Sequence, residues 1–312
     1  VDDIGVNDLD KESFDIFRRD AIRSGRMSKE DLDMDNEDIL DSLGLMMDEK
    51  LKRAAVMLFY RKPERLISGC FVKIGKFGEG ADLQYQDEVH GSLFIIADRV
   101  IELIYLKYLK AVITYDKETR IETYPFPRDG IREAVFNALI HCNWADSIPI
   151  QIRIEDEAMY ISNSCILPSD WTTETLMRRH KSRPHNPDIA NVFFRAGYVE
   201  TWGRGIQKIC EACIQHGIPE PEYEVLGGDI TVKFTALRTS KNLKPQRDVL
   251  YDVLEINMVS ILKSDSTKKQ KIIAEELGIS VATVQRIMKR LVEQGKIERK
   301  GGKRFGYWEI HE

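Results

Sequence analysis

Glu133, Asn137 and His141 recur at four-residue spacing, which on an α-helix places them within about 80° of one another on one face. Val135, Leu139 and Ile140, on the other side, are apolar and suit packing against a sheet. A carboxylate and a carboxamide stacked one turn apart can hold a Mg²⁺ shell and a water near a phosphate, because hard oxygen ligands suit that ion. Taken alone, the trio also suits an ordinary polar helix face, so the surrounding elements decide between the two. A second set lies near the C-terminus. There Gln285 and Arg286 can read base edges of duplex DNA through paired hydrogen bonds, whereas Thr283, Lys289, Lys303 and Arg304 suit phosphate contacts. The alternatives are simple solvation of a small domain or a protein contact. Cys210 and Cys213 form a Cys-x-x-Cys inside an apolar helical stretch, with no second Cys or His pair at ligand spacing. Core packing is the expectation there.

The elements that must position these residues can be read from pattern. Pro125 and Pro127 end an extended stretch, and Asp129 is expected to accept hydrogen bonds from the first amides of a helix running to about His141. Strands are predicted at Ile148 to Ile154 and Ala158 to Ser162. Asn186-Pro187 reads as an Asn cap followed by Pro in the first turn of a helix over Asp188 to Ala196. A further helix follows Gly205 and stops at Gly217, and Thr231 to Leu237 alternates as a strand. Helices set against consecutive strands predict an α+β two-layer domain.

Upstream, residues 1 to about 50 are polar and acidic, with helical periodicity in Phe14 to Ile22 and Ile39 to Leu45. Ala54 to Tyr60 and Ile67 to Ile74 read as buried segments, the second as a strand. Gly75, Gly78 and Gly80 follow at a spacing loosely like a phosphate loop, but no Lys-Ser or Lys-Thr comes after them, so a simple turn is expected. Residues 91 to 110 read as a long amphipathic helix. Residues 238 to 247, rich in Lys, Ser, Asn and Pro, read as a linker. Beyond it, the helix Lys269 to Leu277, the turn Gly278-Ile279-Ser280 and the helix Val281 to Glu293 have helix-turn-helix punctuation. Ala274, Leu277, Ile279, Val284, Ile287 and Leu291 form its expected core. Two short strands around Gly295 to Arg299 and Gly306 to Ile310 flank a basic turn and complete a winged helix.

In this order, the elements resemble the Bergerat-fold (GHKL-type) ATPases, the superfamily of gyrase, heat-shock chaperones, histidine kinases and mismatch-repair proteins. Glu133-xxx-Asn137 stands at its Glu-xxx-Asn helix, the strand ending at Ser162-Asn163 at its adenine-binding loop, and Trp202-Gly203-Arg204-Gly205-Ile206 at its second glycine box. More closely, "REAVFNALIH", "ISNSCILP", "HNPDIANVFFRAGYVETWGRGI" and "GIPEPEYE" resemble the ATPase-like module of a bacterial and archaeal regulator family. That family is often labelled as related to the RecG helicase and carries a Schlafen/AlbA-like DNA-binding domain upstream. The resemblance covers roughly residues 10 to 237. It implies that Asn137 ligates Mg²⁺, that Glu133 orients or deprotonates the attacking water, and that Asn163 meets the adenine. It also implies that Gly203 and Gly205 let backbone amides close on phosphates at a helix start, where Arg204 can pair with a phosphate.

The site departs from the superfamily pattern. Where that pattern reads Asp-x-Gly-x-Gly, this chain has Asn163-Ser164-Cys165-Ile166-Leu167. A neutral Asn can still accept from an adenine amino group at a cost of about 1 kcal/mol. The lost glycines remove freedom from a loop that approaches the ligand closely. The narrower family has Asn-Pro-Gly at this point, and Arg-Asn-Pro where this chain has His185-Asn186-Pro187. The ATP site is therefore expected to be degenerate.

The totals bound what remains. At 312 residues several domains are expected, here a mixed α/β region over 1–122, an ATPase-like domain over 123–237, the linker, and a winged helix over 248–312. No apolar run reaches the roughly 18 to 20 residues of a membrane helix, and no secretory signal opens the chain. It does not begin with Met, which suggests a missing upstream part. Five cysteines without framework spacing point to a reducing compartment, hence the cytoplasm. From Lys241 onward there are 15 Lys and Arg against 10 Asp and Glu, leaving the rest of the chain at a net −10. The tail can thus attract nucleic acid while the remainder repels it. The expected function is a DNA-binding transcriptional regulator that senses nucleotide or assembles through its ATPase-like domain, as a homo-oligomer such as a dimer. The alternatives are a slow Mg-dependent ATPase acting on DNA and an inert scaffold. A helicase motor would need a Gly-xxxx-Gly-Lys-Ser/Thr loop, which the sequence lacks.

Overall fold

The computed structural model describes residues 1–78, 80–116, 119–168, 171–178, 181–200, 203–237, 258–263, 265–277, 281–293, 295–301 and 307–311. The chain divides into two compact units, Val1–Leu237 and Arg238–Glu312. Within the first, α1 (Lys11–Ser24), α2 (Lys29–Leu32) and α3 (Asn36–Ser42) precede a short hairpin of β1 (Met46–Met47) and β2 (Lys50–Leu51), then α4 (Arg53–Phe59). Next come β3 (Val72–Phe77), β4 (Leu83–Val89), α5 (Leu93–Leu103), a π-helical turn, and the hairpin β5 (Val112–Asp116) and β6 (Thr119–Thr123). Helix α6 (Arg128–His141), β7 (Ile150–Ile154), β8 (Ala158–Ser164), α7 (Thr173–Met177), α8 (Pro187–Arg195), α9 (Gly205–His216), β9 (Glu222–Leu226) and β10 (Asp229–Thr235) finish the unit.

A six-stranded sheet in the order β4-β3-β7-β8-β10-β9 runs through the first unit. All its pairings are antiparallel except β3 with β7. That parallel step needs a long crossover, which α5, the β5–β6 hairpin and α6 supply. Residues 1–122 and 123–237, expected as two regions, therefore share one sheet. They also share one core. Phe14 stacks on Phe59 at 4.3 Å, Phe59 meets Phe94 at 5.6 Å, Phe94 meets Phe193 at 5.6 Å, and Phe193 meets Phe136 at 6.0 Å. This chain of buried rings ties α1 to α6 across the expected boundary, and aromatic pairs of this kind stabilise beyond the area they bury.

Several local details correct the sequence expectations. Asp129 lies within the first turn of α6 and makes no cap; Pro127 holds the cap position without a side-chain bond. The acid at 129 still favours the positive helix start. The strand expected from Ile67 begins only at Val72, after a turn. Asn186 does sit before α8, but its Nδ2 donates to the carbonyls of Ile140 and Cys142 at 2.8 Å each and caps nothing on its own helix. Gly75 lies within β3, opposite Gln86 and Arg153, and the turn follows it: Gly78 N–H donates to Asp82 O at 2.8 Å and Gly80 takes φ +68°. Helix α9 begins at Gly205 and ends at Gly217, φ +80°, in the left-handed conformation that glycine adopts without strain.

The second unit has its own core of Met258, Leu262, Ile273, Ala274, Val284, Ile287, Met288, Leu291 and Ile297. Helices Gln270–Leu277 and Val281–Glu293 precede β11 (Ile297–Lys300), which pairs antiparallel with β12 (Tyr307–Ile310). The expected linker and the turn with Ile279 lie outside the described residues. All five cysteines are free and buried, including Cys210 and Cys213 on α9. Among the described residues no helix is long and apolar enough to cross a membrane.

Candidate functional site

A cavity of about 460 Å³ lies against β8, β10 and β9, with α6 and the start of α9 as walls. Alternation along the strands builds its floor. Residues two apart in a strand share a face, and the register sets Ile161 opposite Val232, Val232 opposite Tyr223, and Asn163 opposite Ile230. One carboxamide thus stands in an otherwise apolar floor, and all five of these residues line the cavity. Asn163 is buried, and its Nδ2 donates to Ser164 O at 2.9 Å. That bond uses one of the two N–H groups of the amide and fixes Nδ2 as the donor end, with Oδ1 as the acceptor. Ser164 in turn donates its hydroxyl to Asp146, which steadies the end of β8.

Glu133, Asn137 and His141 line the wall formed by α6, and Gly203 and Gly205 the wall at α9. The two walls pack together, most tightly at Gly205. A Cβ placed on Gly205 would lie 2.8 Å from both Glu133 Oε1 and Asn137 Nδ2. The backbone therefore approaches the acid and the carboxamide more closely than any other residue type allows. Gly203, φ +67°, supplies the left-handed turn before it. Helix α9 starts without a side-chain cap, so its first amides, at the positive end of the helix dipole, remain for an anion. The structure does not bring Arg204 into the cavity: it occupies the cap position of α9 and is exposed. Trp202 lies outside the described residues.

Two acids on the cavity are shifted in opposite directions. Glu133 is 8% exposed, and burial pushes its carboxyl above the usual carboxylate value, against the pull of Lys208 and Arg132. Glu200 is held below the usual value by its hydrogen bond from Lys208, whose Nζ lies 3.0 Å away. One carboxyl is thus shifted by burial and the other by its cation. Sequence reasoning missed Arg183, which, with its guanidinium 5.7 Å from the Trp171 ring, brings positive charge to the cavity from a loop. Cys165, of the stretch set against the adenine loop, and His185, of the His185-Asn186-Pro187 motif, also line it.

Residues 148–234 match a family model described as "Putative ATP-dependent DNA helicase recG C-terminal", and residues 252–298 match one described as "Winged helix-turn-helix DNA-binding". The chain joins an ATPase-like domain to a winged helix-turn-helix. Comparison with curated proteins yields no match. Among solved structures, the crystal structure of the DIP2311 protein from Corynebacterium diphtheriae is similar over 99% of this chain and 63% of its own, with a TM-score of 0.62 at 17% identity. The likeness is one of fold, and this chain spans less than two thirds of that protein's length.

In the winged helix-turn-helix, Gln285, Arg286 and Lys289 are exposed on the helix Val281–Glu293, and Thr283 is half-buried near its start. Val284, Ile287 and Leu291 face the core. The amphipathic period thus turns the candidate DNA-reading side chains away from the packing face. Gln285 Nε2 donates to Gln270 Oε1 of the preceding helix at 3.3 Å, which holds its amide in place. Lys303 and Arg304, in the turn of the wing, lie outside the described residues. The strands on either side carry exposed Glu298 and Glu309, and Lys300 bridges both, at 2.8 and 3.5 Å. One cation of the expected basic turn, Lys300, is thus paired locally with acids of both strands.

Proposed function

We propose that the chain is a DNA-binding transcriptional regulator of the cytoplasm, in which the winged helix-turn-helix reads duplex DNA and the degenerate ATPase-like domain takes up a purine nucleotide. One observation carries the reading. Glu133, Asn137, Asn163, Gly203 and Gly205, drawn from three separate stretches of sequence, converge on one cavity. The apolar floor suits a base, Asn163 Oδ1 suits its amino group, and the uncapped start of α9 suits phosphates. Asn137 and Glu133 offer hard oxygen donors that fit Mg²⁺, provided that phosphate and water complete its shell. Mg²⁺ when bound would neutralise phosphate charge. Nucleotide-dependent assembly into a homo-oligomer such as a dimer is the route by which the domain would act on DNA binding.

The decisive experiment is calorimetric titration of the full chain with Mg-ATP, paired with thermal unfolding. Binding raises the unfolding midpoint by mass action. No heat and no thermal shift would leave an inert scaffold, the reading that the substituted Asn163-to-Leu167 loop favours. A slow ATPase is supported by Glu133 itself, a buried acid beside Asn137 with a raised affinity for protons, as a general base requires. Replacing it by Ala should abolish turnover while sparing nucleotide binding; equal turnover in both proteins excludes Glu133 from the chemistry.

A further inference from the structure

A second cavity, of about 300 Å³, opens between α4, the turn after α6 and the start of α8. Its polar walls are Lys52, Arg53, Asn143, His185 and Asp188. Because Asn186 spends its side chain on the carbonyls of Ile140 and Cys142, α8 begins without a side-chain cap, and Pro187 at its first position has no N–H. The amides of Asp188 and Ile189 stand at the positive end of this nine-residue helix, where anions are favoured.

Asn143 supplies the independent observation. It is 8% exposed and lines the cavity, and its carboxamide makes no hydrogen bond to any described residue. Its side-chain atoms are not among the fully enclosed unpartnered ones of the described residues, so the carboxamide reaches the space of the cavity. A ligand acceptor there would pair with it. Charge points the same way. Lys52 Nζ lies 3.3 Å from Asp188 Oδ2, so those two offset each other, and Arg53, exposed at the rim, leaves the lining net positive.

We infer that this cavity binds a small anionic metabolite through a phosphate or carboxylate group, separately from the nucleotide cavity. The anion accepts hydrogen bonds from Asn143 and the first amides of α8, with Arg53 supplying charge at the mouth. His185 lines both cavities, so the two ligands share a wall. The test is calorimetric titration of the full chain with inorganic phosphate and, separately, with acetate, which tells the two anion types apart. One or both should bind the wild type. Asn143→Ala should weaken that binding about tenfold, the worth of one hydrogen bond to a charged group, and Asn143→Asp, which opposes the anion with like charge, should abolish it. Arg53→Ala should weaken it and flatten its salt dependence. All three variants should keep the wild-type response to Mg-ATP. If neither probe binds, or if affinity is unchanged in Asn143→Asp and Arg53→Ala, the site is overturned. Should an Asn143 variant fail to fold, Arg53→Ala, at an exposed position, still decides.

Discussion

Glu133 is a charge placed where water hardly reaches, and its neighbours only partly compensate. Its carboxyl is pushed above the ordinary range by burial. The stability such a group contributes is full below the ordinary carboxylate range and is lost as pH rises through its own raised value. At neutral pH the folded chain therefore carries a buried charge that a carboxamide would not impose. Glu133→Gln should raise the thermal midpoint at pH 7 by a few degrees, and the gap from wild type should close as pH falls through the carboxylate range. A gap that does not vary with pH would mean that burial of charge is not its source. Gly205 gives a complementary case. The atoms a Cβ would meet are the far ends of Glu133 and Asn137, so Gly205→Ala should cost little stability, under about 1.5 kcal/mol by denaturant unfolding. It should nevertheless weaken Mg-ATP binding at least about tenfold, because both side chains must swing away. These residues were legible in the sequence because helical period, strand alternation and a glycine pair each leave a local mark. Arg204 was less legible: neighbours at a helix start point in different directions, and spacing alone does not say which one faces the cavity.

At the scale of elements, most helices and strands were legible, and their partners were not. The apolar runs of α5 and β7 announce burial, but nothing local in Val72–Phe77 says that it pairs in parallel with Ile150–Ile154, more than seventy positions on. That pairing rests on tertiary packing, as does the diversion of Asn186 from capping α8 to bonding the end of α6. The helix Val281–Glu293 is the opposite case, because its role follows from its own amphipathic period. Exposed Arg286 and Lys289 should divide the work of DNA binding. With a duplex selected from a random pool, Arg286→Ala should cost about 1–3 kcal/mol and relax preference at one base position. Lys289→Ala should weaken binding to all duplexes alike and reduce the salt slope by about one. Affinities measured over a range of salt separate the two, and identical behaviour of both variants would assign neither a reading role.

The whole molecule is organised by two hydrophobic cores with no shared residue, one within Val1–Leu237 and one within Arg238–Glu312. The first joins the upstream region to the ATPase-like domain through a common sheet, which sequence reading could not foresee because the boundary at residue 122 was drawn where the motifs began and not where the packing ends. Charge is divided the other way. The acidic 240 residues carry the nucleotide candidates, and the basic tail carries the DNA candidates, so the long-range attraction to DNA must come from the small unit. Two cores imply that each unit folds on its own, and the buried fraction of surface rises with the size of a unit. Residues 1–237 expressed alone should therefore unfold in one cooperative transition and bind Mg-ATP with the affinity of the full chain, while losing all salt-sensitive binding to duplex DNA. The full chain should show an added, weaker transition from the winged helix, the marginal partner at this size. If the shortened protein instead loses nucleotide binding, the cavity depends on the C-terminal unit, and the two functions are coupled through contact and not merely through the chain that joins them.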